Sequence, residues 1–417
     1  MSTVFNVSAR YALRSLLRNL GRTSLSILGV GLGVGFGLIA LSFIGGADTM
    51  TINAAAGGGI GHLRLAPAGW IESQDVDLRL ESGPEVLEAI RDTPGVRVAS
   101  PRARIGTLLG LGTRSAHVPL TGVDPTSEPG TLLYVRDIPE GRYLEPDDEG
   151  AIVIGRAIAR RLDAALDDEL VATALDDEGQ MVSVLLTVVG IAETGVREVD
   201  ATIAHVVLAD VERLSGLDGF AEITIIADTV PAIDGLRDRL DAELAHGTDE
   251  MLTWADVAPG LKQNIESKTG FYNVAIVVIL LVVLLGVASA QLTGVLERRK
   301  EFAVLAAVGM RRWQLIRVVL TEGFAIGLGA AFLALAWAGP ICWRMATYGI
   351  DLSGAYDSEE GFAFGGVLIE PIIFPAFGGW VVGAALLMSL AATVLASIYP
   401  AWFAAKTDPA TALRVDR

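Results

Sequence analysis

Few residues in this chain have the types and spacing that catalysis or metal binding would need. The histidines are His62, His117, His205 and His246. None stands at a metal-ligand spacing from another, so each reads as an ordinary surface or core position. The one cysteine, Cys342, can close no internal disulfide and rules out a Cys-rich metal site. Acidic side chains gather at 147–149, 167–169 and 176–178, without the alternate-position oxygens of an EF-hand loop. They read as solvated turns, with a weak divalent-ion site as the alternative. G-x-S-x-G, H-E-x-x-H and the P-loop pattern G-x-x-x-x-G-K-[ST] are all missing. No catalytic, cofactor-binding or metal-binding residue is assigned, and any ATP hydrolysis falls to another subunit.

Two other patterns point to contact rather than catalysis. Residues 297–323 read ERRKEFAVLAAVGMRRWQLIRVVLTEG. A short amphipathic helix fits about 298–307, with Phe302, Leu305 and Ala306 on one stripe among charges that include Arg298 and Glu301. A break at Gly309 follows, then Arg311, Arg312 and a second helix. The short helix either lies against lipid headgroups or offers an apolar ridge to a groove on a partner. Upstream, Gly29, Gly33 and Gly37 recur every fourth residue, and Gly31 and Gly35 form a second row. Small residues so spaced let another helix approach closely in a bilayer. No Lys-Ser/Thr follows them, so a phosphate-binding loop is excluded.

The elements that must position these residues are set by composition. Hydrophobic residues make up 52% and charged residues 19% of the 417. Ordinary soluble chains carry about 25% charged residues, and long uncharged apolar runs mark membrane spans. Four such runs are each long enough to cross a hydrocarbon core: TM1 at 25–46, TM2 at 269–296, TM3 at 318–345 and TM4 at 371–400. The first is preceded by polar and basic residues and followed by no A-x-A site, which makes it a retained anchor rather than a cleaved signal. Glu322, near the start of the third, reads as interfacial, with a polar contact inside the bundle as the alternative.

Charge sets the orientation. Residues 1–24, 297–317 and 401–417 together carry thirteen basic and four acidic side chains, +9, so the remainder must carry −26 of the net −17. Basic loops stay in the cytoplasm. The N-terminal segment, the 297–317 loop and the tail are therefore cytoplasmic, and 47–268 and the short loop 346–370 face outward. A net charge of −17 argues against nucleic acid as a partner. Within 47–268, strand-like runs at 62–66, 96–105, 151–155, 181–191, 204–208 and 222–227 alternate with helical patterns at 84–92, 156–166 and 231–245. The pattern fits an α+β domain, with 115–200 as a middle lobe.

With these residues in place, the chain resembles the four-span ABC transporter permeases that include LolC/LolE, MacB and FtsX. Their loop between spans two and three is similar to Arg298, Glu301, Phe302, Val304, Leu305, Ala307, Val308 and Gly309 in order. Their closing motif resembles YPAWFAAKTDPATALR at 399–414, with Tyr399, Pro400, Pro409 and Leu413. The entry to the first span, ALRSLLRNLGRTSLSILGVGLGV, is similar too. The resemblance implies four transmembrane α-helices and a large MacB-like periplasmic core domain between helices 1 and 2. It further implies an inner-membrane location and a second permease subunit in a homo- or heterodimer. A cytoplasmic ABC ATPase dimer would dock on 298–312 as the coupling helix, with membrane lipids around the spans. In length and layout the lipoprotein-releasing LolC/LolE type matches best, with a periplasmic lipoprotein carrier or adaptor protein as outward partner. The work implied is mechanotransmission driven by the separate ATPase. A MacB-like efflux permease, or an FtsX-like regulator of a cell-wall hydrolase, is the alternative.

Overall fold

The computed structural model describes residues 20–406 apart from 74–77, 133, 137, 196, 244–246, 352–361, 365–366 and 370–371. In chain order the helices are α1 Leu20–Ala55, α2 Pro84–Asp92, α3 Arg156–Leu162, α4 Leu208–Ser215 and α5 Ile233–Glu243. Then come α6 Pro259–Glu297, α7 Arg299–Ala307, α8 Arg312–Tyr348 and α9 Trp380–Ala405. The outward strands are β1 Leu63–Ala66, β2 Val96–Leu111, β3 Arg114–Val123, β4 Glu140–Gly141 and β5 Ala151–Gly155. They continue with β6 Glu169–Leu175, β7 Met181–Ala192, β8 Ala204–Val207, β9 Glu222–Ala227 and β10 Glu250–Thr253. The chain divides into two compact units, one of 1–47, 266–350 and 373–417, the other of 48–265 and 351–372.

Among the described residues, four helices are long and apolar enough to cross a membrane: α1 with its continuation to Ile60, α6, α8 and α9. Small residues bring them together. A Cβ built on Gly31 would lie 2.8 Å from Leu333, one on Gly33 2.5 Å from Val283, and one on Gly37 2.7 Å from Met388. One on Gly35 would strike the Trp337 ring. The Trp337 indole N–H donates to the Gly31 carbonyl at 3.2 Å, which satisfies a polar atom where no water reaches. Each glycine therefore takes a bulky side chain of another helix into its groove. On α9, Ser389, Thr393 and Ser397 are buried and return their hydroxyl hydrogens to carbonyls of their own helix. By contrast, α6 leaves Phe271, Val274, Val277, Leu281, Val282 and Leu285 exposed. An all-round apolar helix in this state has lipid or a further subunit as its neighbour.

The outward unit is built on one ten-stranded sheet of the described residues, in the order β10-β1-β9-β2-β3-β8-β5-β7-β4, with β6 bridging β2 and β7. That bridge closes a ring, β2-β3-β8-β5-β7-β6 and back to β2. A small barrel has room only for side chains. Period-two alternation supplies them: Ala103, Ile105, Val118, Leu120, Ile154, Ala172, Val188 and Val206 fill the interior. The sixteen-residue β2 belongs to two structures. Its second half pairs with β3 in the barrel, and its first half pairs with β9 in a flat extension with β1 and β10. Helices α2 and α5 cover one face of that extension, setting Leu87, Ile90, Leu236 and Leu240 against Leu63, Leu65, Ile223 and Ile225.

Two sequence expectations need correction here. The helix expected over 156–166 ends at Leu162, because Asp163 is left-handed (φ 60°) and closes it. The run 96–105 is the first part of a strand that continues to Leu111, since Thr107–Leu111 pair in register with Arg114–Val118.

Candidate functional site

The loop between α6 and α8 is held by a buried ion pair. Arg298 is 5% exposed, and its Nη1 donates to Glu322 Oε1 of α8 at 2.9 Å. Its Nε donates to Glu301 Oε2 at 3.3 Å, and the guanidinium lies 5.1 Å over the Phe302 ring. Glu322 thus makes the polar contact inside the bundle that was the alternative reading, joining α8 to the end of α6. Phe302 is fully buried among Val295, Leu315, Val319, Ala401 and Ala404. The chain then breaks at Gly309, whose φ of 101° only glycine adopts without strain. Behind the break the Arg311 N–H donates to Gln314 Oε1 at 2.7 Å and starts α8.

These positions correct the apolar ridge expected from sequence. Phe302 is consumed inside its own chain, and Leu305 and Ala306 are half-buried beside it. The helical period puts Val304, Ala307 and Val308 on the opposite face, with Val304 49% and Val308 84% exposed. Arg299, Lys300, Arg311, Arg312 and Trp313 are exposed around them, and Gly309 lies at the tip. The free surface is a small apolar knob ringed by cations. Its sequence signal was the i, i+4 pair Val304 and Val308 between basic residues.

The other expected positions are distributed as follows. Gly33 and Gly37 pack within the chain, and a Cβ on Gly29 would meet nothing within 4 Å. Pro400 is buried in α9 while Tyr399 is 57% exposed. Pro409, Leu413, His246, Arg10, Arg14 and Arg18 lie outside the described residues. The acidic clusters are turns: Asp148, Asp168 and Asp176 each accept a backbone N–H of their own loop.

A second cluster, unforeseen from the sequence, lies on the other side of the flat extension, covered by the turn Ala56–Ile60 and by residues 128–131. Alternation that sends Leu63, Leu65, Ile223 and Ile225 to the core turns Arg64, Glu222, Ser100 and Arg102 the other way. Arg64 Nη1 meets Glu222 Oε2 at 3.1 Å, Arg104 Nη2 meets Glu222 Oε1 at 3.1 Å, and Arg102 Nη2 meets Glu128 Oε1 at 2.6 Å. Burial alone would raise the Glu222 pKa, but Arg104, Arg64 and Arg102 pull it below the ordinary value. Arg64 and Arg102 also hold the Gly59 carbonyl at 3.0 and 2.8 Å, fixing the π-helical turn Ala56–Ile60 that ends α1. Beside the cluster, His205 Nδ1 and the Tyr143 hydroxyl share a hydrogen bond of 3.0 Å. Burial, then Arg102 and Arg104, push the His205 pKa down to about 3, so it is neutral. His62 accepts the Ala227 N–H at Nδ1 (3.0 Å) and faces Asn53 Oδ1 at 3.0 Å. Burial, then Arg97, lower its pKa to about 4. The sequence signal for this cluster was charge inside strands that are otherwise apolar, as in LRLA at 63–66.

The fold and these sites define a multi-pass membrane permease with a large α/β insert between its first and second spans. Residues 23–243 match the MacB-like periplasmic core domain and residues 273–409 the FtsX-like permease C-terminal region. The first match covers more than half of the chain, which belongs to this ABC transporter permease family. Among relatives, the LolC lipoprotein-releasing transmembrane protein of Neisseria meningitidis is 23% identical over 413 residues, 94% of each chain. The macrolide export ATP-binding/permease protein MacB of Shewanella oneidensis is 26% identical over 415 residues, 92% of this chain and 55% of that one. This chain thus spans about half the length of that MacB relative. The solved periplasmic region of MacB from Actinobacillus actinomycetemcomitans aligns with 49% of this chain and 92% of its own, at 14% identity and a TM-score of 0.35.

Proposed function

We propose that this chain is the membrane subunit of an ABC complex in the inner membrane, with both termini and the α7 loop in the cytoplasm. A separate pair of ATPase subunits docks on the knob of Val304, Ala307 and Val308 and its ring of Arg299, Lys300, Arg311 and Arg312. Closure of the ATPases on ATP shifts α7, and the α6–α8 frame clamped by Arg298 and Glu322 carries the movement to the outward unit. The work done there is release of a lipoprotein or similar amphiphile from the outer leaflet, with a second permease subunit against the exposed face of α6. One observation carries the lipoprotein reading: the chain aligns along 94% of its length, and of the relative's, with a LolC. The MacB likeness, over 92% of this chain, supports efflux with an adaptor protein as the second reading.

The experiment is mild-detergent copurification followed by ATPase assay. The reading expects an ATP-binding-cassette protein in the complex and turnover that rises with added lipoprotein. Turnover raised by a macrolide but not by lipoprotein would favour the second reading, and a chain that copurifies with no ATPase would refute both.

A further inference from the structure

The arginine cluster opens onto a cavity of about 370 Å³ within the outward unit, lined on one side by Arg64, Arg102, Arg104 and His205. Its other walls include Trp70, Leu132, Pro119, Val199, Ile203 and Val257. The lining thus mixes polar groups, three guanidiniums among them, with apolar walls. Pockets that take small ligands share this size and pattern, apolar walls with a few convergent polar groups.

The charges there do not balance. Three guanidiniums touch two carboxylates, Glu222 and Glu128, while Asp200 is turned to the Thr194 N–H and hydroxyl at 2.8 and 2.7 Å. His205 adds no charge at neutral pH, and Arg64, lowered to about 10 by burial and then by its arginine neighbours, keeps its proton. The Nε of Arg64 and of Arg104 are buried without a hydrogen-bond partner, as are Glu222 Oε1 and Thr224 Oγ1 beside them. Buried polar groups in native proteins are almost always paired, so this cluster, with its one uncompensated positive charge, is suited to an added anionic acceptor. Arg104 is 39% exposed, unlike Arg64 and Arg102, and is the guanidinium a ligand reaches first.

We propose that this cavity binds a single-chain anionic amphiphile, its carboxylate or phosphate head on Arg104 and its alkyl chain against Trp70, Leu132 and Val257. The proposal deepens the amphiphile-handling role above and rests on it for the ligand's biological source, though not for binding itself.

The test uses the full chain in lipid nanodiscs, titrated calorimetrically with octanoate, octyl phosphate, neutral octyl glucoside and inorganic phosphate, with empty discs as the blank. Saturable binding of at least one octyl anion, and none of octyl glucoside, is expected. Preference for octanoate or for octyl phosphate tells which head the site is built for. Loss of one charged hydrogen bond in Arg104→Gln should weaken binding by about tenfold or more. Thr202→Trp, at an exposed rim position whose hydroxyl bonds only the Val199 carbonyl, should block entry with the ion pairs intact. Absence of saturable binding above the blank overturns the proposal, as does binding that both variants leave unchanged. Inorganic phosphate binding as tightly as octyl phosphate removes the apolar half. No ATPase takes part, so failure here leaves the copurification result standing, and the reverse.

Discussion

Replacing Glu322 by leucine takes from the Arg298 guanidinium its buried carboxylate partner on α8, and the cost can be worked from the geometry. Arg298 and Glu322 are 5% and 9% exposed at the side chain and meet at 2.9 Å. Removing one member of a buried pair typically costs about 3–5 kcal/mol, most of it the desolvation of the charge left behind. Glu301 Oε2 remains 3.3 Å from Nε, yet its side chain is 36% exposed and its attraction is screened. The expected cost is therefore near about 3 kcal/mol. At roughly 2–4 °C per kcal/mol this lowers the melting temperature by about 6–12 °C. Phe302 should loosen with it, since the guanidinium stacked on its ring 5.1 Å away is the group set adrift. The assay is thermal unfolding of the full chain in detergent, followed by size-exclusion fluorescence. The double variant Arg298→Met, Glu322→Leu removes both charges and should recover most of the loss, a large coupling in a double-mutant cycle. Glu322→Leu melting within a degree of the parent, or a double variant equal to the sum of the singles, would refute the reasoning.

Further perturbations separate internal packing from assembly, and folding from protonation. Gly33→Leu should destabilise the chain itself by about 1–3 kcal/mol, because the new side chain enters space held by Val283, whereas Gly29→Leu should melt like the parent. Equal melting of the two in detergent would contradict that assignment. His62 and His205 have folded pKa values of about 4 and about 3, below the ordinary 6.5, so their contribution is complete above pH 6.5 and is lost as pH falls toward those values. Between pH 6.5 and 5 Glu222, lowered in the fold, stays ionised, while Asp210, raised by burial, opposes the histidine slope as pH falls. Stability should fall by on the order of 1 kcal/mol per histidine per pH unit, and His205→Gln should remove about half of that slope. A pH-independent melting temperature across this window would rule it out.

What the sequence made legible follows physical period. Apolar runs of membrane length needed no tertiary information, and the four helices are there. Strands with clean alternation, such as 222–227, were readable because one face had to be buried. The barrel closure was not, since nothing in β6 or β7 says that β6 also pairs with residues 108–110 of β2. The short helix of the 297–323 loop and its glycine break were legible from amphipathic period and residue type. Which side faced inward was not: Phe302 and the pair Val304/Val308 are both apolar stripes, and only the neighbouring α8 and α9 decide between them. The same limit applies to Gly33, whose spacing announced a close helix without saying that the helix was α6 of the same chain.

The central claim is that the exposed tip of α7 meets an ATP-binding subunit in the cytoplasm. A photo-cross-linking residue placed at Val308, in cells, tests it most directly. The account predicts an adduct with an ATP-binding-cassette protein from Val308 and none from the buried Phe302 position. No such adduct from Val308, together with labelling of a cysteine placed there by a membrane-impermeant reagent added outside, would contradict it.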